Sequence, residues 1–241
     1  MQHSTRHIAR ILQLSDSHLG PGRDFKLAGI NTYQSLGQVL KALPDQDVAP
    51  ELLAVTGDIA GDGDEAAYHL FNEAMAEQPR SFAWLPGNHD DFPLMRKVLR
   101  QPFRRVVELG NWVAIFLVSA QADEVGGHLS ETELAELADL LHRYRDEYVL
   151  LFMHHMPVEI SCRTNTGLAT MDNWLSWWPG VPGSGHFLPA MYTRHFRSPG
   201  RAWVCTVLLR PVFSLPRAVM VSNCPSSPRA IAGLISTRMA A

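Results

Sequence analysis

The chain has 241 residues, of which 46% are hydrophobic, so one α/β domain with a sizeable core is possible. Its formal net charge of −3 gives no overall attraction to nucleic acid or to a membrane surface, and we expect neither partner. Three cysteines without metal-type pairing argue against a disulfide framework. The first ten residues have no apolar signal core, and no apolar run could span a membrane, which predicts a cytoplasmic protein.

The chain up to about residue 155 alternates short apolar strands with amphipathic helices. Strands are predicted at residues 8–14, 52–55, 82–85, 112–118 and 148–153. Helices are predicted at residues 33–43, 65–76 and 130–144. Asn31 or Thr32 is a plausible N-cap of the first helix, and Ser130 with Glu133 forms a capping-box pattern at the last. This order predicts layered α/β packing with a mainly parallel central sheet.

Polar clusters directly follow four of the predicted strands. They are Ser15-Asp16-Ser17-His18, Gly57-Asp58, Asn88-His89-Asp90 and His154-His155. Sites of parallel α/β folds lie at the carboxyl ends of the strands, so these clusters are expected to meet. Alone, each also fits a plain structural role, such as an Asx turn at Asn88 or surface histidines at 154 and 155.

The donor types in these clusters are typical of a metal centre. Asp16 and His18 are two residues apart, which in an extended segment turns both side chains the same way. Carboxylate, amide and imidazole ligands together suit Mn, Fe, Zn or Co. Two such ions about 4 Å apart would activate a bridging hydroxide and clamp both oxygens of an in-line phosphoryl displacement.

The motifs resemble, in order, those of the calcineurin-like metallophosphoesterase superfamily. Within it they look most similar to the bacterial class III 3′,5′-cyclic-nucleotide (cAMP) phosphodiesterases. The matching segments are Leu14-Ser15-Asp16-Ser17-His18-Leu19, Gly29-Ile30-Asn31-Thr32, Thr56-Gly57-Asp58-Ile59, Leu85-Pro86-Gly87-Asn88-His89-Asp90, Gly127-His128-Leu129-Ser130 and Met153-His154-His155. The resemblance covers roughly residues 8–169 and implies a layered α-β-β-α sandwich.

The resemblance also implies a binuclear centre of two divalent transition-metal ions. Asp16 and His18 would bind the first ion, and Asp58 would bridge both. Asn88 and His154 would bind the second ion.

Three further residues carry roles by resemblance. His89 would lie beside the scissile phosphate as the catalytic group that stabilises charge or protonates the leaving oxygen. Asp90 would orient His89, and His155 would support the ligands without binding metal itself.

The sequence departs from this family at its C-terminal part. The family closes its site with Gly-His-x-His, and no such motif stands in this chain, where Gly185-His186 lacks the second histidine and His195 stands alone. After Asp172 there is no Asp, Glu or Lys but there are seven Arg. The chain up to Asp172 therefore contains 14 of the 21 basic residues and all 24 acidic residues, and its net charge is about −10.

This break suggests that the tail is translated in a shifted reading frame. Methionine has a single codon, so Met191-Tyr192 read one base earlier encodes Val, and residues 189–194 then permit Gly-His-Val-His-Gln. We therefore divide the chain into a truncated metallophosphoesterase domain at 1–169 and an aberrant basic tail at 170–241. We expect the C-terminal portion of the fold to be incomplete and the tail to be poorly ordered.

The predicted activity is metal-dependent hydrolysis of 3′,5′-cyclic AMP to 5′-AMP. Two alternatives stay open, a catalytically inactive remnant and a phosphodiesterase for another small phosphodiester such as a glycerophosphodiester. A basic-tail interaction protein would require the tail to fold. The sequence does not fix the oligomeric state.

Overall fold

The computed structural model describes residues 8–42, 50–78 and 82–155, together with the backbone of four strands further along. The strands are β1 (Ile8–Ser15), β2 (Lys26–Leu27), β3 (Ile30–Asn31), β4 (Leu52–Thr56), β5 (Phe82–Leu85), β6 (Val106–Leu109), β7 (Trp112–Phe116), β8 (Tyr148–Phe152), β9 (Ala190–Tyr192), β10 (Ala202–Leu208), β11 (Arg217–Pro225) and β12 (Gly233–Ala240). The helices are α1 (Thr32–Lys41), α2 (Glu65–Ala76), α3 (Phe92–Val98) and α4 (Glu131–Arg143).

All five predicted strands and all three predicted helices are present, with ends within two residues of the prediction. Asn31 is the N-cap of α1, since its side chain accepts a hydrogen bond from the Gln34 N–H. The prediction missed α3 and the short strands β2, β3 and β6.

The strands form two main sheets, as the α-β-β-α sandwich implied by the family resemblance requires, whereas the strand–helix order alone had suggested a single central sheet. The first has the order β12-β1-β4-β5, and the second has the order β6-β7-β8-β11-β10-β9. In the first sheet β1, β4 and β5 are parallel and β12 is antiparallel to β1. In the second sheet β7, β8 and β11 are parallel, and the strands on either side of them, β6 and β10, are antiparallel to their neighbours. The second sheet begins at the β6–β7 hairpin, whose register pairs Leu109 with Trp112.

The inner faces of the two sheets pack against each other. The first sheet contributes Ile11, Leu52, Ala54, Ala83 and Leu85, and the second contributes Trp112, Ala114, Phe116, Leu150 and Phe152. Two aromatic pairs order this layer, because Phe116 stacks on Phe152 and Trp112 stacks on Tyr148, each with ring centroids 4.9 Å apart. This packing brings the carboxyl ends of β1, β4, β5 and β8 toward the same end of the sandwich.

Helices cover the outer faces, which completes the predicted α-β-β-α layering. The alternate residues of the first sheet, such as Leu14, Val55 and Trp84, are buried with the apolar faces of α1, α2 and α3. α4 buries Leu137 and Leu141, and its Glu133 accepts a hydrogen bond from the N–H of Val118, just after β7 of the second sheet. None of the helices in the described part of the chain has the length and apolar character that a membrane span requires.

The Glu133 side chain binds the second sheet instead of completing the predicted capping box with Ser130. Ser130 accepts a hydrogen bond from the Glu133 N–H at 3.1 Å, as a capping box requires. The buried Glu133 carboxylate, however, accepts hydrogen bonds from the Arg105 guanidinium and from the Val118 N–H at 2.8 Å. The Ser130 part of the capping box is therefore present, whereas the Glu133 carboxylate links the helix to the sheet.

The tail contributes only backbone strands to the described structure. β12 pairs with β1 over eight register positions, and β11 pairs with β8 over five. Gly185, His186 and His195 lie outside the described residues. The domain boundary at 169, the shifted frame and the poor order of the tail stay predictions.

We expect Glu133→Ala to lower the free energy of unfolding by about 2–3 kcal/mol, because it leaves a buried N–H and a guanidinium without their acceptor. Urea unfolding would measure this. Glu136→Ala is the matched control, since Glu136 binds the same Arg105 at 2.9 Å but its side chain is 49% exposed, so its loss should stay below about 1 kcal/mol. Equal losses in the two variants would contradict the assignment.

Candidate metal centre

The loops after β1, β4, β5 and β8 meet at one end of the sandwich. Backbone bonds join the first two loops, since the Asp16 N–H donates to the Gly57 carbonyl at 3.1 Å and the His18 N–H donates to the Asp58 carbonyl at 2.9 Å. The third loop joins through the His89 N–H, which donates to Asp58 Oδ1 at 3.0 Å. Asp58 thus lies at the centre of the loops.

Three of the predicted metal ligands have a left-handed backbone conformation. The φ angles are 58° at Asp16, 41° at His18 and 52° at Asp58. Such a conformation costs about 1–2 kcal/mol in an L-residue, and it persists where surrounding contacts hold it. The backbone bonds between these loops provide such contacts, so Asp16 and His18 do not lie in the extended segment that their spacing suggested.

Among the described residues, two groups of three side chains have ligand atoms within 4.8 Å of one another. One group is His18, Asp58 and His89, and the other is Asp16, Asp58 and His154. Asp58 belongs to both, and its Oδ2 lies 3.5 Å from His18 Nε2 and 3.5 Å from His154 Nε2. The structure therefore brings the predicted bridging carboxylate between two imidazoles.

The membership of the two groups differs from the assignment that the resemblance implied. Asp16 is grouped with His154, although its Oδ1 also lies 3.9 Å from His18 Nε2. His89, expected beside the substrate, is close enough to join the ligands, and its ring lies edge-on to the His18 ring at 5.0 Å. Asn88 Oδ1 lies 3.2 Å from His154 Nε2, which brings all five predicted ligands into one cluster.

The tautomers of two histidines leave their Nε2 atoms to face this cluster. His154 Nδ1 lies 2.9 Å from the Thr56 carbonyl oxygen, and His89 Nδ1 lies 3.0 Å from the Gly61 carbonyl oxygen. A carbonyl only accepts, so each Nδ1 donates its hydrogen, and each Nε2 is the ring atom left to bind a cation. Lone pairs of imidazole, carboxylate and amide that face one another fit a divalent cation.

Electrostatics make the cluster attractive to positive charge. Burial pushes the pKa of Asp58 up, but the imidazoles of His154 and His18 outweigh burial and hold that pKa below its usual range. Burial alone would lower the pKa of His154, yet the carboxylates of Asp58 and Asp16 raise it to about 10. A proton on His154 thus occupies the place where a cation would bind, and a cation would displace it.

Two glycines allow the loops to approach. A Cβ at Gly57, where φ is 93°, would lie 2.6 Å from His154 Nδ1, and a Cβ at Gly87 would lie 2.1 Å from Asp58 Oδ1. Side chains at these positions would push the ligand residues apart. This is the physical reason for the glycine that precedes Asp58 and the glycine that precedes Asn88.

Asp90 binds the loops rather than the His89 ring, which the Gly61 carbonyl holds. Its carboxylate accepts hydrogen bonds from the N–H groups of Ile59, Ala60 and Gly87 and from the hydroxyl of Tyr68. Burial raises the pKa of Asp90 to about 6, and the charge of Asp58 adds to the increase. Tyr68 could not be identified from the sequence, because no pattern separates a tyrosine on the apolar face of a helix from an ordinary core residue.

His155 belongs to neither ligand group. It is buried, and its Nδ1 lies 2.8 Å from Ser119 Oγ. Gly127 packs so closely on its ring that a Cβ there would lie 2.3 Å from its Cγ. Burial, followed by the neighbouring His154, lowers the pKa of His155 to about 3, so this ring stays neutral. The contact explains why a glycine precedes His128.

Among the proteins that resemble this chain are curated relatives from three organisms. A protein of Escherichia coli (strain K12) named 3′,5′-cyclic adenosine monophosphate phosphodiesterase is 36% identical over 157 residues, 64% of this chain and 57% of the relative. A Haemophilus influenzae protein of the same name is 32% identical, over 61% of this chain and 56% of the relative. A Nostoc sp. 3′,5′-cyclic-nucleotide phosphodiesterase is 33% identical, over 63% and 58%. The chain thus spans little more than half the length of these relatives.

A solved structure from Aquifex aeolicus is 12% identical and covers 68% of this chain and 89% of its own chain. Its TM-score of 0.33 is too low for a structural comparison. The profile of the family described as calcineurin-like phosphoesterase matches residues 9–187, which extends past residue 169. The match covers well over half of the chain and includes every ligand residue described above. The chain therefore belongs to the calcineurin-like phosphoesterase family.

Proposed function

We propose that this chain binds two divalent transition-metal ions and hydrolyses 3′,5′-cyclic AMP to 5′-AMP. The observation that carries the proposal is the position of Asp58 Oδ2, 3.5 Å from an imidazole nitrogen on either side. One carboxylate shared by two donor groups is the arrangement that a pair of ions requires. The names of the relatives from Escherichia coli and Haemophilus influenzae support the choice of substrate.

Five residues would hold the ions. As the family resemblance implies, Asp16 and His18, 3.9 Å apart, would bind one ion, Asn88 and His154, 3.2 Å apart, would bind the other, and Asp58 would bind both. When bound, the pair supplies positive charge to the phosphoryl oxygens and an activated water as nucleophile. Mn, Fe, Zn and Co all suit this mixture of oxygen and nitrogen donors.

His89 is the residue that we assign to proton transfer. Its Nδ1–H is donated to the Gly61 carbonyl, so the ring is fixed while its exposed side reaches the site. In the proposed reaction a water oxygen forms a bond to phosphorus, and the bond from phosphorus to the 3′ oxygen breaks. Protonated at Nε2, His89 can donate that proton to the leaving 3′ oxygen.

The phosphate rather than the base is the part of the substrate that this site addresses. The relative from Nostoc sp. is named for cyclic nucleotides in general, so its name leaves the base open. A glycerophosphodiester offers the same phosphodiester and is the alternative substrate. Comparison of kcat/KM for cyclic AMP, cyclic GMP and glycerophosphocholine would rank the three.

We expect the full chain to bind two Mn²⁺ or Zn²⁺ ions at micromolar concentration, as measured by elemental analysis after dialysis. Asp58→Asn keeps the side-chain shape but removes the charge that both ions share, so it should reduce the content to below one ion per chain. Asp139→Asn on the exposed side of α4 is the matched control and should retain two. Two ions in Asp58→Asn would rule out the shared carboxylate.

His89→Ala should lower kcat for cyclic AMP by about 100- to 10,000-fold, because it removes the proposed proton donor. The ion content should remain at two if His89 faces the substrate and should fall if His89 is itself a ligand. His69→Ala is the control, since that side chain is 62% exposed on α2. An unchanged kcat in His89→Ala would contradict the assigned role.

A metal-binding remnant without turnover is the second candidate. Each donor group in the described part of the chain contains three histidine or aspartate side chains, and the sequence lacks Gly-His-x-His. Two missing imidazoles would leave both ions more weakly held. Two bound ions without hydrolysis of any phosphodiester would establish this candidate.

The shifted frame has a direct test in the gene. Resequencing the codons for residues 163–178 should find one inserted or deleted base, and the restored frame should encode Gly-His-Val-His. A protein made from the restored gene should bind both ions more tightly than the present chain. A gene without those codons in the shifted frame would refute the hypothesis.

A further inference from the structure

Tyr68 is a polar residue in the middle of an apolar layer. It lies on α2 beside core residues such as Ala67 and Phe71, and its exposed fraction is 0%. A buried phenol hydroxyl requires hydrogen-bond partners, because water cannot reach it. Its partners therefore indicate why a tyrosine rather than a phenylalanine stands here.

Both partners of the hydroxyl belong to the loop between β5 and α3. The hydroxyl donates to Asp90 Oδ1 at 3.2 Å and accepts from the Asp91 N–H at 2.9 Å. Burial, together with the charge of Asp90, raises the pKa of Tyr68, so the hydroxyl keeps its proton. The side chain uses its donor and its acceptor on adjacent residues, which fixes the loop against α2.

Asp90 carries this constraint to the ligand residues. Its carboxylate also accepts from the N–H groups of Ile59 at 3.2 Å and Ala60 at 3.0 Å, the two residues that follow Asp58. It accepts in addition from the Gly87 N–H at 3.0 Å, directly before Asn88. One carboxylate thus ties together the two loops that present Asp58 and Asn88.

We propose that Tyr68 is a positioning residue for the metal centre, acting through Asp90 on the loops of Asp58 and Asn88. This inference rests on the proposed function, since positioning matters only if the cluster binds ions. The hydroxyl of Tyr68 contacts Asp90 and Asp91, which are not among the proposed ligands. Its hydroxyl limits how far the Asp90 carboxylate can turn, and that carboxylate sets the spacing of the two loops.

The expected effect of losing the hydroxyl is weaker ion binding in a folded protein. Tyr68→Phe keeps the ring in the core and removes one oxygen. Removal of a group that supports metal ligands typically costs about 10- to 100-fold in affinity, and we expect about 10-fold here because three partners of Asp90 remain. With saturating metal, kcat should fall while KM stays unchanged, because no substrate contact is lost.

Isothermal titration with Zn²⁺ would measure the affinity in the wild type, in Tyr68→Phe and in Tyr144→Phe. Tyr144→Phe is the matched control, since it also removes a hydroxyl that donates to a carboxylate, Glu108 at 2.8 Å, at an exposed place. A loss of affinity of about 10-fold in Tyr68→Phe and less than twofold in Tyr144→Phe would support the proposal. Equal affinities in all three proteins would overturn it.

Amide hydrogen exchange separates the failure of this inference from the failure of the proposed function. If Tyr68 positions the loops, Ile59 and Ala60 should exchange about 10-fold faster in Tyr68→Phe even without metal. Unchanged exchange would overturn the inference whatever the wild type binds. A wild-type chain that binds no ions, but whose Tyr68→Phe variant exchanges faster, would refute the proposed function and leave the positioning intact.

A double variant tests whether Asp90 is the route. Tyr68→Phe added to Asp90→Asn should weaken Zn²⁺ binding by less than twofold beyond Asp90→Asn alone, since the hydroxyl would have lost its means of action. A full further 10-fold loss would show that Tyr68 acts by another path and would overturn the proposal.

Discussion

A buried carboxylate at the centre of four loops determines how this end of the molecule is built. Asp58 is almost fully enclosed, and a charge in such a place is unfavourable unless other groups compensate for it. The His89 N–H and the imidazoles of His18 and His154 provide that compensation. The left-handed backbone at three ligand positions and the glycines that let the loops approach follow from the need to bring these groups to one oxygen.

Much of the fold could be predicted because burial leaves a plain pattern in the sequence. Fully buried strands such as β4 and β5 consist of consecutive apolar residues, and α4 has both an N-cap and a regular apolar stripe. α3 was missed although Asp91 and an early proline mark its start, because seven residues give too short a period. The family resemblance implied the division into two sheets, but the strand–helix order alone did not, because the two-residue loop between β6 and β7 leaves little trace in the sequence.

The residues that meet at the candidate site could be predicted from order and chemistry, whereas their hydrogen-bond partners could not. Polar side chains at strand ends indicated Asp16, Asp58 and Asn88, since the fold has one edge where such residues meet. The partner of the His89 ring is a backbone carbonyl, at Gly61, which no sequence motif encodes. Tyr68 illustrates the same limit, because its role depends on a hydroxyl whose partners lie more than twenty residues away.

The origin of the ligands in two different sheets has a mechanical consequence. Asp16, Asp58 and Asn88 follow strands of the first sheet, whereas His154 follows β8 of the second. Sliding of one sheet over the other would therefore carry the His154 imidazole away from the carboxylates of the first sheet. A cation held between them would crosslink the two sheets. Slow shear between the layers and release of the ion would then be a single motion, opposed by the apolar side chains that pack between the two sheets.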